Sequence, residues 1–309
     1  MTADARLSIR SPSAPDHEAF SDAGAAVDRL IEIYDLSAKY LCERFTEVLS
    51  TGMPLNRFRA FYPEVRLTTT SYSQVDTRLS FGHVVEPGRY STTVTRPRLF
   101  ENYLRQQIGL LIRNHGMPVQ VGMSQTAMPV HFAVANEPDL TVPQEGAVEY
   151  SLRDVFDVPE LATMNDDIVN GYGFTHGDGS QPLAPFTALR VDYSLARLSH
   201  YTATDAGHFQ NHVLFTNYQF YVEEFEAYAR QMLADPESGY TAFVGPGNVE
   251  ITDPDEPMPQ PAKLPQMPTY HLKRENDAGI TLVNIGVGPS NAKTATDHIA
   301  VLRPHAWMM

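Results

Sequence analysis

Apolar side chains recur at three- and four-residue steps through Val27, Leu30, Ile31, Tyr34, Ala38, Leu41, Phe45 and Val48. That spacing is one face of a helix. Ser21 or Asp22 stands where a cap is needed, and Gly52 followed by Pro54 marks the end. A second helical face runs through Leu99, Phe100, Tyr103, Leu104, Ile108, Leu111 and Ile112, closing at Gly116. Pro97 suits its first position, because the missing N–H has no partner there anyway. Around these helices lie runs rich in Thr, Val and Tyr: VRLTTTSY (65–72), RLSFGHVV (78–85), RYSTTVT (89–95), VQVGMS (119–124) and PVHFAVA (129–135). Each predicts a strand.

The second half follows another order. HVLFTNY (212–218) predicts a strand, YVEEFEAYARQML (221–233) an amphipathic helix, and TAFVGPGNVEIT (241–252) further extended chain. Then GITLVNIGVGPSNAKTATDHIAVLRPHAWMM predicts a strand, a glycine turn and a helix with Ala292, Ala295, Ile299 and Leu302 inward. Its last apolar residues predict the start of another strand. Two stretches lack periodicity. NDDIVNGYGFTHGDGSQPLAP (165–185) is glycine-rich and reads as a long loop at a domain boundary. DPDEPMPQPAKLPQMP (253–268) holds six prolines and reads as a stiff surface excursion without a core of its own. The expected organisation is a mobile tail over residues 1–20, an α+β domain over 21–185, and an α/β domain over 186–309.

Composition narrows the class. A hydrophobic content of 42% and a charged content of 19% over 309 residues describe a folded globular protein. No stretch is apolar for long enough to span a bilayer, and the first residues lack the apolar core of an export signal. One cysteine, Cys42, excludes an internal disulfide and fits a reducing cytoplasm; its helical setting reads as a buried structural thiol. A net charge of −14 argues against nucleic acid and anionic membranes as partners. A small anionic ligand is still compatible, provided that Arg, His and backbone N–H groups are concentrated locally.

Three places offer that concentration. At Gly286, Val287, Gly288, Pro289 and Ser290 two glycines permit close backbone approach, and the helix that follows presents unpaired N–H groups. A dinucleotide fingerprint would need a third glycine where Asn291 stands, and no acidic residue follows at ribose-binding distance. A plain strand–helix corner fits the same residues. The second place carries Arg190, Arg197 and His200, followed by Tyr201, Thr202 and Thr204, donors suited to a phosphate. A solvated helix surface is the alternative. His208 and His212 stand four apart without a third ligand, so no metal is expected. The third place is GRYSTTVTRPRLF, with Arg89, Arg96 and Arg98 beside a threonine-rich strand.

YSTTVTRPRLFENYL, VDYSLARLSHYTAT, HVLFTNYQFYVEEF and GITLVNIGVGPSNAKTATDHIAVLRP together resemble segments of the bacterial AMP nucleosidase family, in that family's order. The resemblance implies an α+β regulatory domain followed by an α/β catalytic domain similar to the nucleoside phosphorylases. It implies hydrolysis of AMP to adenine and ribose 5-phosphate, with no cofactor for the chemistry, MgATP as allosteric activator, phosphate as inhibitor, and a homohexamer. It also implies a segment before the first catalytic strand that reaches the 5′-phosphate, which here is Arg197, His200, Tyr201 and Thr202. Thr216, Asn217 and Tyr218 then occupy the loop that cradles phosphate in phosphorylases. The glycines of that loop are absent, which suits water as the attacking group. Gly286, Gly288 and Ser290 would line the pocket wall, and Arg89, Arg96 and Arg98 would serve regulation. Catalytic carboxylates of the family are expected beyond Met309, so the chain reads as an N-terminal fragment with an incomplete α/β domain and little activity alone. A non-catalytic AMP- or ATP-binding module is the alternative, and phosphorolysis a third reading.

Overall fold

The computed structural model describes residues 17–51, 56–72, 82–135, 151–164, 166–172, 178–259, 263–286 and 288–309. Residues 1–16 of the expected tail, the helix stop at Gly52 and Pro54, residues 78–81, Asn165 and 173–177 of the expected loop, 260–262 and Val287 lie outside the described residues. The chain divides into two compact units, residues 1–192 and 193–309.

In the first unit, β1 (Glu18–Phe20) precedes α1 (Ala23–Thr51). The Asp22 carboxylate accepts from the Ala25 N–H at 2.8 Å, the N-cap that the sequence offers. Then come β2 (Phe61–Thr69), β3 (Gly88–Thr93), α2 (Glu101–His115) and β4 (Val119–Ala127). Short helices α3 (Val130–Val134), α4 (Leu152–Val155) and α5 (Asp167–Asn170) lead to β5 (Gln181–Pro182). The sheet order is β1-β4-β2-β3-β5, antiparallel except for β3 with β5. Ala26, Val27, Leu30 and Ile33 of α1 and Ile108 and Leu111 of α2 pack on Val65, Leu67, Val119 and Val121 of the sheet. Burying this face is what holds helices and sheet together, at about 25 cal/mol per Å² of apolar surface.

Several local expectations are corrected. Residues 18–20, assigned to the tail, form an edge strand against Val119–Val121. Residues 82–85 are not a strand. The Asn114 amide donates to the Gly82 carbonyl at 2.9 Å, and the Val84 N–H donates to His115 Nε2 at 3.0 Å. The segment is tied to the end of α2 instead of to a ladder. PVHFAVA forms helix α3, not a strand; Val130, Phe132, Ala133 and Val134 are all buried, so the run has no period from which its type could be read. Pro97 to Phe100 form a turn ahead of α2, which begins four residues later than the proline suggests. The glycine-rich stretch contains α5 and β5.

Helix α6 (Ala188–Thr202) carries the division between the units, at Asp192 and Tyr193. The second unit continues with β6 (His212–Thr216), α7 (Gln219–Ala234), β7 (Tyr240–Gly245), β8 (Val249–Ile251), β9 (Thr269–Arg274), β10 (Ile280–Asn284), α8 (Pro289–Ile299) and β11 (Ala306–Met308). The sheet order is β11-β6-β10-β9-β7-β8. Strands β11, β6 and β10 are parallel, and β9, β7 and β8 alternate in direction. One face packs on Val222, Phe225 and Ala229 of α7. The other packs on Leu198 of α6 and Ala295 and Ile299 of α8. The proline-rich stretch joins both cores, through Met258 and the almost fully buried Met267. β9 was not foreseen, since TYHLKR mixes polar and apolar residues on a strand buried along most of its length. No described helix is long and apolar enough to cross a membrane.

Candidate functional site

Parallel pairing of β6 with β10 sets Thr216 opposite Asn284. The Ile285 N–H donates to the Thr216 carbonyl at 2.8 Å, extending the ladder to the last residue. The carboxyl ends of two neighbouring strands therefore lie side by side, each followed by a short turn and a helix start. Such ends are where open α/β sheets bind ligands, because the loops there diverge and helix N-termini converge. Neither Tyr218, at the start of α7, nor Gly288, at the start of α8, gives its helix a side-chain cap. The first turns of both helices carry no acidic residue. Their free N–H groups and positive dipole ends favour an anion.

The turn after β10 is held from three sides. Asn284 Oδ1 accepts from the Gly286 N–H at 3.0 Å. Asn291 Nδ2 donates to the Ile285 carbonyl at 2.9 Å, while its Oδ1 accepts from Gln266 at 3.2 Å. Gly286 has φ +61° and Gly288 φ +118°, conformations that side chains oppose. Asn291, at the position of the missing fingerprint glycine, thus ties the turn to the strand end. Ser290 is exposed at the helix start. On the neighbouring loop Thr216 is buried and its hydroxyl accepts from the Tyr218 N–H at 3.2 Å, whereas Asn217 and Tyr218 face solvent.

The last turns of α6 approach this end. The Tyr201 carbonyl accepts from the Met267 N–H and the Pro268 carbonyl from the Asn284 N–H, both at 2.9 Å. The Arg197 guanidinium lies over the Tyr201 ring, 4.6 Å from its centre, and donates to the Tyr201 hydroxyl. His200 meets Tyr201 edge-on at 5.4 Å. The Tyr201 ring also stacks with His298 of α8, at 6.1 Å and 20°. Thr202 turns inward: its hydroxyl donates to the Leu198 carbonyl at 2.8 Å and lies 3.0 Å from Thr204 Oγ1. The sheet end thus gathers Thr216, Asn217, Tyr218, Gly286, Gly288 and Ser290, with Tyr201 beside them. Asn291, Gln266 and His298 were missed by sequence reasoning, which had no motif to mark them.

Arg89, Arg96 and Arg98, all in the first unit, do not share one partner. Arg89 donates to the Asp178 carbonyl, Arg98 to the Asp35 carboxylate at 2.7 Å, and Arg96 Nε lies 3.5 Å from Asp192. Asp192 is fully buried. Its carboxylate accepts from the Tyr62 hydroxyl at 2.7 Å and from the Thr95 hydroxyl at 2.9 Å. Desolvation still outweighs these donors and pushes its pKa up to about 6. Arg96 itself has φ +42°, a backbone position few side chains adopt. Arg190 pairs with Asp166 at 2.6 Å. Cys42, half-buried, points its thiol toward the Ala133 carbonyl at 3.6 Å.

In the second unit His271 is fully buried, its Nδ1 2.9 Å from Thr281 Oγ1 and its Nε2 3.1 Å from Thr204 Oγ1. Burial holds its pKa well below that of a free histidine.

Comparison with known proteins adds a family and two relatives. Residues 25–180 match the family profile described as bacterial AMP nucleoside phosphorylase N-terminus. The chain is similar to AMP nucleosidase from Escherichia coli strain K12, at 39% identity over 295 residues, 92% of this chain. It is equally similar to AMP nucleosidase from Escherichia coli O157:H7. The aligned region spans 60% of the length of each relative.

Proposed function

The chain belongs to the bacterial AMP nucleoside phosphorylase N-terminus family, and on that premise we propose that it serves an AMP nucleosidase reaction, the hydrolysis of AMP to adenine and ribose 5-phosphate. The observation that carries the reading is the 39% identity to AMP nucleosidase along 92% of the chain. We assign the first unit to regulation, and the second to the opening part of a nucleoside-phosphorylase-like domain.

The chemistry asks for two things. A purine leaves poorly as an anion, so an acid must protonate the ring as the glycosidic bond stretches. The ribose meanwhile gains oxocarbenium-like charge and takes up water. The residues gathered at the sheet end suit holding the substrate more than proton transfer. Arg197, His200 and Tyr201 are the proposed 5′-phosphate contacts, with Thr202 holding the helix end beneath them. Thr216, Asn217 and Tyr218 border the side from which water attacks, and Gly286, Gly288 and Ser290 form the pocket wall. Two uncapped helix starts beside them favour an anionic ligand within a chain of net charge −14.

MgATP activation, phosphate inhibition, a homohexamer and a cytoplasmic location belong to the same reading. Arg89, Arg96 and Arg98 are its regulatory candidates. Arg96 also neutralises buried Asp192, so removing it costs about 3–5 kcal/mol for reasons unrelated to an effector. Exposed Arg98 gives the cleaner test: Arg98→Ala should weaken the response to MgATP without lowering the melting temperature.

A second reading, phosphorolysis, is suggested by the word phosphorylase in the family's description. Product analysis separates the two. Hydrolysis gives ribose 5-phosphate in phosphate-free buffer; phosphorolysis needs inorganic phosphate and gives ribose 1,5-bisphosphate. A requirement for phosphate would overturn the hydrolytic reading.

A further inference from the structure

We propose that His298 is a positioning residue for recognition of the substrate's 5′-phosphate, acting through Tyr201. The inference rests on the AMP reading above. His298 lies on α8, the helix that begins at the glycine turn of the candidate pocket, and it is almost completely buried.

Its ring touches α6 at three points. Ser194 Oγ lies 3.1 Å from His298 Nδ1. Tyr193 meets the ring edge-on at 5.8 Å. Tyr201 stacks on it at 6.1 Å with an interplanar angle of 20°. Tyr201 in turn meets the Arg197 guanidinium, 4.6 Å from the ring centre and bonded to the phenol oxygen. His298, Tyr201 and Arg197 thus form a chain of contacts that ends in the cation proposed to meet the phosphate.

The geometry has a direct physical consequence. A long arginine side chain has many rotamers, and fixing it costs entropy on every binding event. Here the fork is held against Tyr201, and Tyr201 is held against a buried ring. The Ser194 bond fixes the plane of that ring, and the α8 backbone fixes its position relative to the turn at Gly286 and Gly288. Removing the imidazole releases Tyr201 and with it Arg197, while the helix starts at the sheet end keep their own contacts.

The test compares AMP with adenosine, which lacks the phosphate, by calorimetric titration of the 309-residue chain and its variants. His298→Ala should weaken AMP by about tenfold, the size of one charge-assisted hydrogen bond, and leave adenosine unchanged. His298→Phe keeps the stack and loses the Ser194 bond; it should retain most of the AMP affinity and rescue the alanine loss. Ser194→Ala tests the bond alone and should lie between. Melting temperatures measured in parallel separate positioning from general loosening, which would weaken both ligands together.

If the unaltered chain binds AMP and His298→Ala binds it as well, or loses AMP and adenosine equally, the positioning role is wrong and the AMP reading stands. If the unaltered chain ignores AMP, the AMP reading itself falls, and this role with it.

Discussion

Asp192 shows how a single carboxyl group can set a pH dependence. Its pKa rises from 3.8 to about 6 because burial disfavours the charge more than Arg96, Tyr62 and Thr95 favour it. Between those values the folded chain holds a proton that the unfolded chain has lost. Stability from this group is therefore full below the unfolded value and is lost as pH rises to the folded one. Over the whole window the loss is on the order of 3 kcal/mol, from 1.36 kcal/mol per pKa unit. Measured by urea unfolding from pH 4 to 7, the unaltered chain should lose stability relative to Asp192→Asn, whose amide cannot ionise. A gain of stability relative to the variant with rising pH would contradict the assignment. Gly288 is the other residue with a sharp consequence. At φ +118° an alanine is strained even though nothing stands within 4 Å of its added methyl. Gly288→Ala should cost about 1–3 kcal/mol by urea unfolding, as expected for a sparsely populated backbone position. Gly286→Asn at φ +61° should cost less, since asparagine tolerates that region.

At the scale of elements, legibility followed periodicity. α1 was readable because one stripe from Val27 to Val48 is buried and its opposite side is wet, and α7 for the same reason; β2, β4, β6 and β10 were readable from their content of β-branched and aromatic residues. α3 was misread because Val130 to Val134 is buried on several sides, and a five-residue apolar run carries neither period. β9 was missed because His271 and Thr269 are buried polar residues whose partners, Thr281 and Thr204 for His271, lie on other segments. The candidate site divided in the same way. Gly286, Gly288 and Ser290 announce a turn in the sequence, and the turn is there. Nothing near His298 or Asn291 announces a role, because their partners, Tyr201 and Ser194 for one, Ile285 and Gln266 for the other, are set by the fold.

For the whole molecule, Asp192 in the first unit and His271 in the second should contribute to the acid response in opposite senses. In the second unit burial holds His271 neutral in the fold, whereas the unfolded chain takes up a proton near pH 6.5. Its contribution is full above that value and is lost below it, by about 1.4 kcal/mol per pH unit for one proton. Hydrogen exchange at β9 and β10 should therefore quicken between pH 7.5 and 5.5 after correction for intrinsic rates, and His271→Gln should flatten the change. Over the same range protonation of Asp192 works in the opposite direction in the first unit. An unchanged pH response at β9 and β10 in His271→Gln would contradict the assignment. The central claim is that the carboxyl ends of β6 and β10 receive a phosphorylated purine ribotide. The most direct measurement is hydrogen exchange of the 309-residue chain with AMP, against adenosine, in phosphate-free buffer. Protection by AMP at Asn217 to Phe220 and at Ser290 to Ala292, absent with adenosine, is the expected result. Protection confined to the first unit, or none at all, would contradict it.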